Sequence, residues 1–390
     1  MNILFVTNID PRLKNSGSAQ RTNLLWESLK RHGRVFSYFA DDSTACDEEH
    51  IEGEHPLYRF NAQTIKSPFW HPLHSVLENL SVFSIFRYKK YKYPDPCSVF
   101  GNVKFDLVVV RYIGTACFYK FWKIAPMIID IDDYPIQVYD TTKGLKRKFL
   151  TRSLGSWLTR IQTEHIIKKA QDCWIANSTQ TKLFGHQFIY LPNISNEPSE
   201  SYDYAYPERE GLFTVGNMSY APNYEGTDRF LKEIWPAFHK EHPDVRYRIA
   251  GKGAPSEYAL KWNSLEGVEY LGFVDDIEDL YKKCLATVVP IYGGGGTCIK
   301  TLESLSYSRT CLSMPFGLRG LPENILDGKH GLIAVNNSDD LIRAYDSLNE
   351  KEKRSDYEHE GRTYFKANHT KSLFERAVDR LLSKYTGLIH

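Results

Sequence analysis

Short uninterrupted apolar runs alternate with longer stretches in which apolar positions recur at helical spacing, and the alternation repeats along the chain. In the first half, Asn2–Thr7, Arg34–Phe39, Phe105–Val110, Met127–Ile131 and Cys173–Ala176 read as strands. Ser18–Arg31, Gly114–Lys123 and Leu145–Ala170 read as helices between them. The second half continues with strands at Leu212–Val215, Arg246–Ala250, Val268–Leu271, Leu285–Val289 and Thr310–Ser313. Its helices cover Glu225–His239, a segment starting at Thr297, and closing helices from about Asp339. Strands alternating with helices predict parallel sheets covered on both faces, hence an α/β fold of two doubly wound domains. The polar, proline-containing stretch Ile194–Tyr202 has the composition of a linker and puts the boundary near residue 200. In such sheets ligands bind beyond the carboxyl ends of the strands. Two facing domains are therefore expected to hold a ligand in the cleft between them, with closure gating the chemistry.

Composition removes several function classes. With 390 residues, each domain is large enough for its own core. A formal net charge of +1 gives no electrostatic footprint for nucleic acid, so function has to come from local sites. The aromatic fraction of 14% serves cores, sugar stacking or a membrane-facing surface equally well and does not discriminate. The seven cysteines, Cys46, Cys97, Cys117, Cys173, Cys284, Cys298 and Cys311, show no C-x-x-C spacing and read as reduced, mostly buried thiols. Met1–Thr7 lacks a basic leader and a long apolar core, so it reads as a first strand. No window approaches the roughly 20 apolar residues of a membrane span. The expected location is the cytoplasm.

The densest chemistry lies in Pro290-Ile291-Tyr292-Gly293-Gly294-Gly295-Gly296-Thr297-Cys298-Ile299-Lys300-Thr301-Leu302-Glu303. A strand leads into glycines that let backbone approach a ligand closely, and Thr297 is the expected N-cap of a helix running to about Tyr307. Unpaired N–H groups at such a helix start favour phosphate. Lys300 and Glu303 share a helix face, so the ammonium could meet a phosphate while the carboxylate accepts from sugar hydroxyls. The blander alternative is a tight turn followed by a solvated Lys–Glu pair worth a few tenths of a kcal/mol. A P-loop is excluded by Ile299, which stands where that motif requires glycine before the lysine.

Other segments carry weaker signals. The loop Asn8–Arg21, with Gly17 and Ser18 at its helix start, is a second candidate phosphate cradle. The loop Val215–Asn223, with Gly216, Asn217 and Ser219, is a third; the blander reading of each is a plain connection into the next helix. Ile129-Asp130-Ile131-Asp132-Asp133 puts three carboxylates at a strand end, where they could bind metal, act as base, orient hydroxyls or simply cap the next segment. From Leu145 to Arg160 the chain carries Lys146, Arg147, Lys148, Arg152 and Arg160 without an acid, over an apolar set of Leu145, Phe149, Leu154, Trp157, Leu158 and Ile161. Such a helix either lies on an anionic membrane or presents a solvated face over a packed stripe.

Together these motifs resemble the retaining GT-B-fold glycosyltransferases of family 4, of the bacterial surface-polysaccharide kind, across essentially the whole chain. Gly294-Gly295-Gly296-Thr297-Cys298-Ile299-Lys300-Thr301-Leu302-Glu303-Ser304-Leu305 is similar to the family's G-G-G-T-x-x-K-x-L-E-A-L. Gly216-Asn217-Met218-Ser219-Tyr220-Ala221-Pro222-Asn223 follows its G-x-M-x-Y-x-P-N, and Leu191-Pro192-Asn193 and the loop ending in Gly17 also match. The resemblance implies two Rossmann-like domains facing across a cleft. Residues 1–200 would form the acceptor side and 201–370 the donor side, with a C-terminal helix over 371–390 packing back toward the first domain.

The resemblance also implies a donor site made from Gly17, Ser18, Gly216, Asn217, Ser219, Lys252, Gly294, Gly295, Gly296, Thr297, Lys300 and Glu303. Lys300, Glu303 and Asp132 would be its catalytic set. Glu303 would bind the donor ribose. Gly295 stands where many relatives have a first glutamate, leaving sugar contacts to backbone and Thr297. Asn217 stands where many have an arginine, so Lys300 and the helix start would carry more of the leaving-group charge, helped by Lys252. The implied partners are a nucleotide-diphosphate sugar and a saccharide or lipid-linked acceptor, with peripheral contact with an anionic membrane. No metal or separate cofactor is expected. A nucleotide-sugar epimerase and a noncatalytic nucleotide-sugar-binding subunit remain alternatives. A dinucleotide-dependent dehydrogenase is disfavoured, because neither domain starts with G-x-G-x-x-G after its first strand.

Overall fold

The computed structural model describes residues 1–14, 16–41, 47–62, 68–70, 72–73, 76–77, 91–131, 149–183, 185–293, 297–326 and 328–386. The chain divides into two units, Met1–Pro192 with Phe374–His390, and Asn193–Leu373. The segment of linker-like composition packs into the second unit, where Tyr202 sets its ring edge-on against Tyr307, centroids 5.1 Å apart.

In the first unit the elements are β1 (Asn2–Thr7), α1 (Gly17–Lys30), β2 (Arg34–Asp41), β3 (Glu49–Ile51), β4 (Leu57–Asn61), α2 (Pro96–Val99), β5 (Leu107–Arg111) and α3 (Ile113–Ala116). They continue with β6 (Met127–Asp130), α4 (Phe149–Ile167), β7 (Asp172–Ile175), a small hairpin of β8 (Lys182–Leu183) and β9 (His186–Gln187), and β10 (Ile189–Tyr190). One sheet runs β10-β7-β6-β5-β1-β2-β4-β3, parallel except for the edge strand β3. Every residue of β5 and β6 is buried, as expected of parallel strands covered on both faces, and this is why they read as unbroken apolar runs. Leu4, Val6, Tyr38, Phe60, Val108 and Ile129 make the core with Phe118 and Phe121.

The second unit holds β11 (Leu212–Val215), α5 (Ala221–Glu233), α6 (Trp235–Glu241), β12 (Tyr247–Ala250), α7 (Ser256–Asn263), β13 (Val268–Gly272), α8 (Ile277–Lys283) and β14 (Ala286–Val289). α9 (Ile299–Ser306), β15 (Thr310–Ser313), β16 (Leu332–Ala334), α10 (Ser338–Asn349) and α11 (Lys351–Asn368) follow. Its sheet is wholly parallel in the order β13-β12-β11-β14-β15-β16, the doubly wound dinucleotide-fold order with its reversal between β11 and β14. Phe230, Trp235, Tyr247, Trp262 and Leu312 fill the core. The last helix, α12 (Lys371–Thr386), buries Phe374, Val378 and Leu382.

Two expected helices are split. The one over Glu225–His239 breaks at Ile234, because Pro236 lacks an N–H and fits only in the first turn of a new helix, α6. Gly114–Lys123 becomes the single turn α3 and a 3-10 turn at Phe121–Lys123. The start of the third, residues 145–148, lies outside the described residues.

At the carboxyl end of the first sheet, fully buried Asp130 ends β6 between two arginines. Arg21 of α1 donates to it from Nε at 3.0 Å and Nη2 at 2.7 Å, and Arg111, ending β5, donates from Nη1. Arg21 also donates to the carbonyls of Leu191 and Pro192, and Arg111 to Thr22 Oγ1. Burial pushes the Asp130 carboxyl up, yet the charges and hydrogen bonds of both arginines outweigh it and hold the group below its ordinary 3.8. The first strand-end carboxylate is therefore a structural clamp.

Asp130→Ala leaves two buried guanidiniums without their carboxylate and is expected to cost about 3–5 kcal/mol in urea unfolding of the first unit. Because the folded carboxyl titrates below a free one, its contribution is full above about pH 4 and is lost as pH falls further. In the second unit, buried His369 sets Nδ1 2.8 Å from the Asn193 carbonyl, and burial lowers its pKa from 6.5 to about 4. Protonation of this ring favours the unfolded chain, so stability falls as pH drops from 6.5 toward 4, by about 3 kcal/mol in all. Urea titrations across that window check this, with His369→Gln expected to flatten the slope.

Candidate functional site

β11 and β14 lie side by side where the strand order reverses, and the loops leaving their carboxyl ends diverge toward different helices. Sheets of this kind bind ligands in the crevice so formed. The β11 loop is fixed from below. Gly216 N donates to Ala250 O at 3.0 Å, Met218 N to Lys252 O at 2.9 Å, and Gly251 N to Gly272 O at 2.7 Å, which extends the ladder beyond the strands. The fit is tight enough that a Cβ on Gly251, at φ +141°, would stand 1.6 Å from the Gly216 carbonyl oxygen.

Lys300 comes from the first turn of α9 and lays its stem across Gly216, where a Cβ would come 2.5 Å from Lys300 Cε. Its Nζ donates to Asn223 Oδ1 at 2.9 Å. Asn223, 5% exposed, is oriented in turn by donating from Nδ2 to Asn217 O at 2.7 Å. Asn217 Oδ1 accepts from Ser219 N at 3.1 Å and Ser219 Oγ at 2.7 Å. The ammonium thus has a neutral amide for a partner and no carboxylate at ion-pair distance among the described residues, so two of its three protons remain for a ligand. Lys252 is exposed and joins this arrangement through its carbonyl; its ammonium has no partner among the described residues.

Helix α9 begins at Ile299, one residue later than an N-cap at Thr297 would set it. Cys298 takes the cap position, no side chain caps it, and its first turn contains no acid. Thr297 is buried just before the cap instead of serving as it. Uncapped N–H groups and a lysine at one helix start make a site for an anion. Gly294, Gly295 and Gly296 lie outside the described residues.

Glu303 stands about one turn beyond Lys300. Burial raises its pKa above the ordinary 4.5, against opposing pulls from the Tyr281 hydroxyl, Lys300 and Asn196. Tyr281, fully buried, stacks on Tyr307 at 4.1 Å with planes 2° apart. Buried Arg309 ties this wall together, donating to the carbonyls of Tyr281 (2.6 Å) and Lys282 (3.0 Å) at the end of α8 and of Tyr307 (3.2 Å) and Ser308 (2.7 Å) after α9. Ser308 is left-handed at φ +53°. One guanidinium therefore satisfies carbonyls at the ends of two helices.

In the first unit, Gly17 and Ser18 are the first two residues of α1, and the cap is Ser16, whose Oγ accepts from Ala19 N at 3.3 Å. Asp132 and Asp133 lie outside the described residues. Tyr112, directly after β5, holds φ at +68°, a strained value for a side-chain-bearing residue, and its hydroxyl accepts from Arg111 Nη2 at 3.0 Å. No pattern in the sequence marks Tyr112. Asn223 stood in the quoted loop pattern, yet its link to Lys300 spans too many residues to be read from it. Among the described residues no group of three or more His, Cys, Asp or Glu could hold a metal ion.

Residues 209–351 match the family described as Glycosyl transferases group 1. The chain is 25% identical over 142 residues to an "Uncharacterized 44.6 kDa protein in cps region" of Klebsiella pneumoniae, a match spanning 35% of each chain. Among solved structures, sucrose-phosphate synthase from Thermosynechococcus elongatus superposes with TM-score 0.70 at 13% identity, covering 99% of both chains. Anabaena HepE, in complex with UDP and glucose, gives 0.61 at 13% identity over 98% of this chain and 99% of that one. An Escherichia coli trehalose-6-phosphate protein bound with UDP-2-fluoro glucose gives 0.61 at 11% identity over 98% of both. The chain has the GT-B fold of two doubly wound Rossmann-like units.

The added methyl of Gly216→Ala would strike the flexible end of Lys300, so the fold should survive while the ammonium is displaced from Asn223. Calorimetric titration with pyrophosphate should then weaken about tenfold, or ~1.4 kcal/mol, with a nearly unchanged melting temperature.

Proposed function

We propose that this protein transfers a glycosyl group from a nucleotide-diphosphate sugar to a saccharide or lipid-linked saccharide acceptor, with retention of configuration, in polysaccharide or glycan synthesis. The observation that carries the reading is Lys300, aimed by Asn223 and Asn217 across Gly216 at the switch-point crevice, with Glu303 one turn deeper. The family match over residues 209–351 supports it, since that stretch contains all of these residues.

The chemistry follows from charge. Breaking the sugar–phosphate bond builds negative charge on the departing diphosphate. Lys300 and the uncapped N–H groups of α9 meet that charge without needing to reorganise. Asn217 and Ser219 would line the opposite loop, Lys252 would help neutralise the charge, and Gly294, Gly295, Gly296 and Thr297 would supply backbone to the phosphate. Glu303 accepts from the ribose hydroxyls when ionised. Gly17 and Ser18 would contribute the first turn of α1, and Asp132 an acceptor-side group. In this reading no metal is called for. Retention and the acceptor class rest on the motif resemblance.

Thermal-shift and calorimetric titration with UDP, GDP, ADP, CMP and their sugar conjugates tests the reading. One nucleotide should stabilise the protein selectively, and Glu303→Ala should abolish that selectivity. Lys300→Ala should cost about 3–4 kcal/mol in the barrier to transfer while leaving the melting temperature intact. Absence of nucleotide binding would instead point to a scaffold, and isomerisation of the sugar without any acceptor would point to an epimerase.

A further inference from the structure

In the second unit, α10, α11 and the edge strand β16 surround an open depression of about 370 Å³. That lies near the small end of ligand pockets, about 300–1,000 Å³. None of its lining residues belongs to the donor crevice. Half-buried Ile333 of β16 and the ring of Tyr357 on α11 give it an apolar surface. At its rim the Asp340 carboxylate accepts from Asn336 N at 2.9 Å and Nδ2 at 3.0 Å, and from Arg343 Nη2. The bonds from Asn336, helped by the Arg343 charge, hold that carboxyl below its ordinary 3.8, so it stays ionised at neutral pH and fixes both partners in place.

The remaining polar groups are not satisfied by the protein. Lys353 and Tyr357, one turn apart on one face of α11, are half-buried, and neither the ammonium nor the hydroxyl has a partner among the described residues. An ammonium partly withdrawn from water without a partner costs free energy that an incoming anion recovers. Arg343 gives one nitrogen to Asp340, and its other donors stay available. Two cations against one carboxylate leave the lining at +1. A phosphate ester, at about −1.5 to −2, exceeds that, whereas a single carboxylate matches it and suits the planar guanidinium. The Tyr357 hydroxyl and the Asn336 side-chain oxygen then face hydroxyl groups, and the apolar surface takes the face of a ring. We propose that this depression is a second, noncatalytic site for an acidic saccharide, one that carries its charge as a sugar carboxylate. The site is separate from the donor crevice; that its ligand is a saccharide rests on the glycosyl-transfer reading.

The test is saturation-transfer NMR titration of the full chain with glucuronate, glucose and inorganic phosphate, beside the nucleotide titrations. Glucuronate should bind at least about tenfold tighter than glucose or phosphate. Lys353→Met, which keeps the apolar stem, and Arg343→Gln, on an exposed side chain, should each weaken it about tenfold with an unaltered melting temperature. Tyr357→Phe should weaken it less, and Lys300→Ala not at all. No glucuronate binding, equal binding by parent and both charge variants, or phosphate bound as tightly as glucuronate would overturn the proposal. So would displacement of glucuronate by the nucleotide that stabilises the protein, because the two would then share the donor crevice. The two readings fail separately: glucuronate bound by a protein that takes no nucleotide keeps this site and sinks the transfer reaction, and nucleotide bound without glucuronate does the reverse.

Discussion

A parallel strand cannot return to its neighbour through a tight turn; each connection has to cross over the sheet, and that constraint decides where chemistry can occur in this chain. All carboxyl strand ends of a parallel sheet point the same way, and every loop leaving them is the start of a crossover. At one place the winding reverses, and two adjacent loops run to opposite faces. In the second unit this is the pair β11 and β14, whose loops carry Gly216 through Asn223 and the glycine run before α9. The crevice is thus set by topology, and the sequence needs only to furnish its rim.

The rim is furnished by restraints far stronger than any one contact at the surface. Gly216 is held by the Ala250 carbonyl and crowded by Gly251, so the lysine stem above it rests on backbone that has nowhere to move. Asn223 is nearly buried and tied to a main-chain oxygen, which fixes the face its own oxygen presents to Lys300. On the far side of α9, the Tyr281–Tyr307 stack and the carbonyl-capping Arg309 set the wall against which Glu303 lies. A buried arginine satisfied by carbonyls alone is costly unless every donor is used, and here its donors stitch the ends of α8 and α9 into one piece.

Strands were legible in proportion to their burial. β1, β11 and β15 coincide with the expected Asn2–Thr7, Leu212–Val215 and Thr310–Ser313, because strands covered on both faces leave an unbroken apolar signal. β3, β4 and β16 escaped notice: they lie at or near sheet edges, where shorter runs with exposed positions blur into loop. The N-cap of α9 was misplaced because Thr297 has the right chemistry but sits one residue before the cap position, and side-chain preference alone cannot resolve that register. Lys300 and Glu303 were legible from helical spacing. Asn223 was not, since its contact with Lys300 joins residues 77 positions apart.

The two units also treat charge differently, and the difference separates structure from function. Asp130 is fully buried and answered by two guanidiniums, which also donate to carbonyls and hydroxyls of their own unit. Lys300 and Glu303 are partly buried, the one matched only with a neutral amide and the other raised toward its neutral form by burial. Keeping charge incompletely compensated costs stability, and a fold tolerates it where an incoming group completes the set. By that criterion Asp130, the most prominent acid in the strand-end cluster, is scaffold, whereas the lysine and glutamate of α9 would be completed, in the function proposed above, by an anionic, hydroxylated ligand.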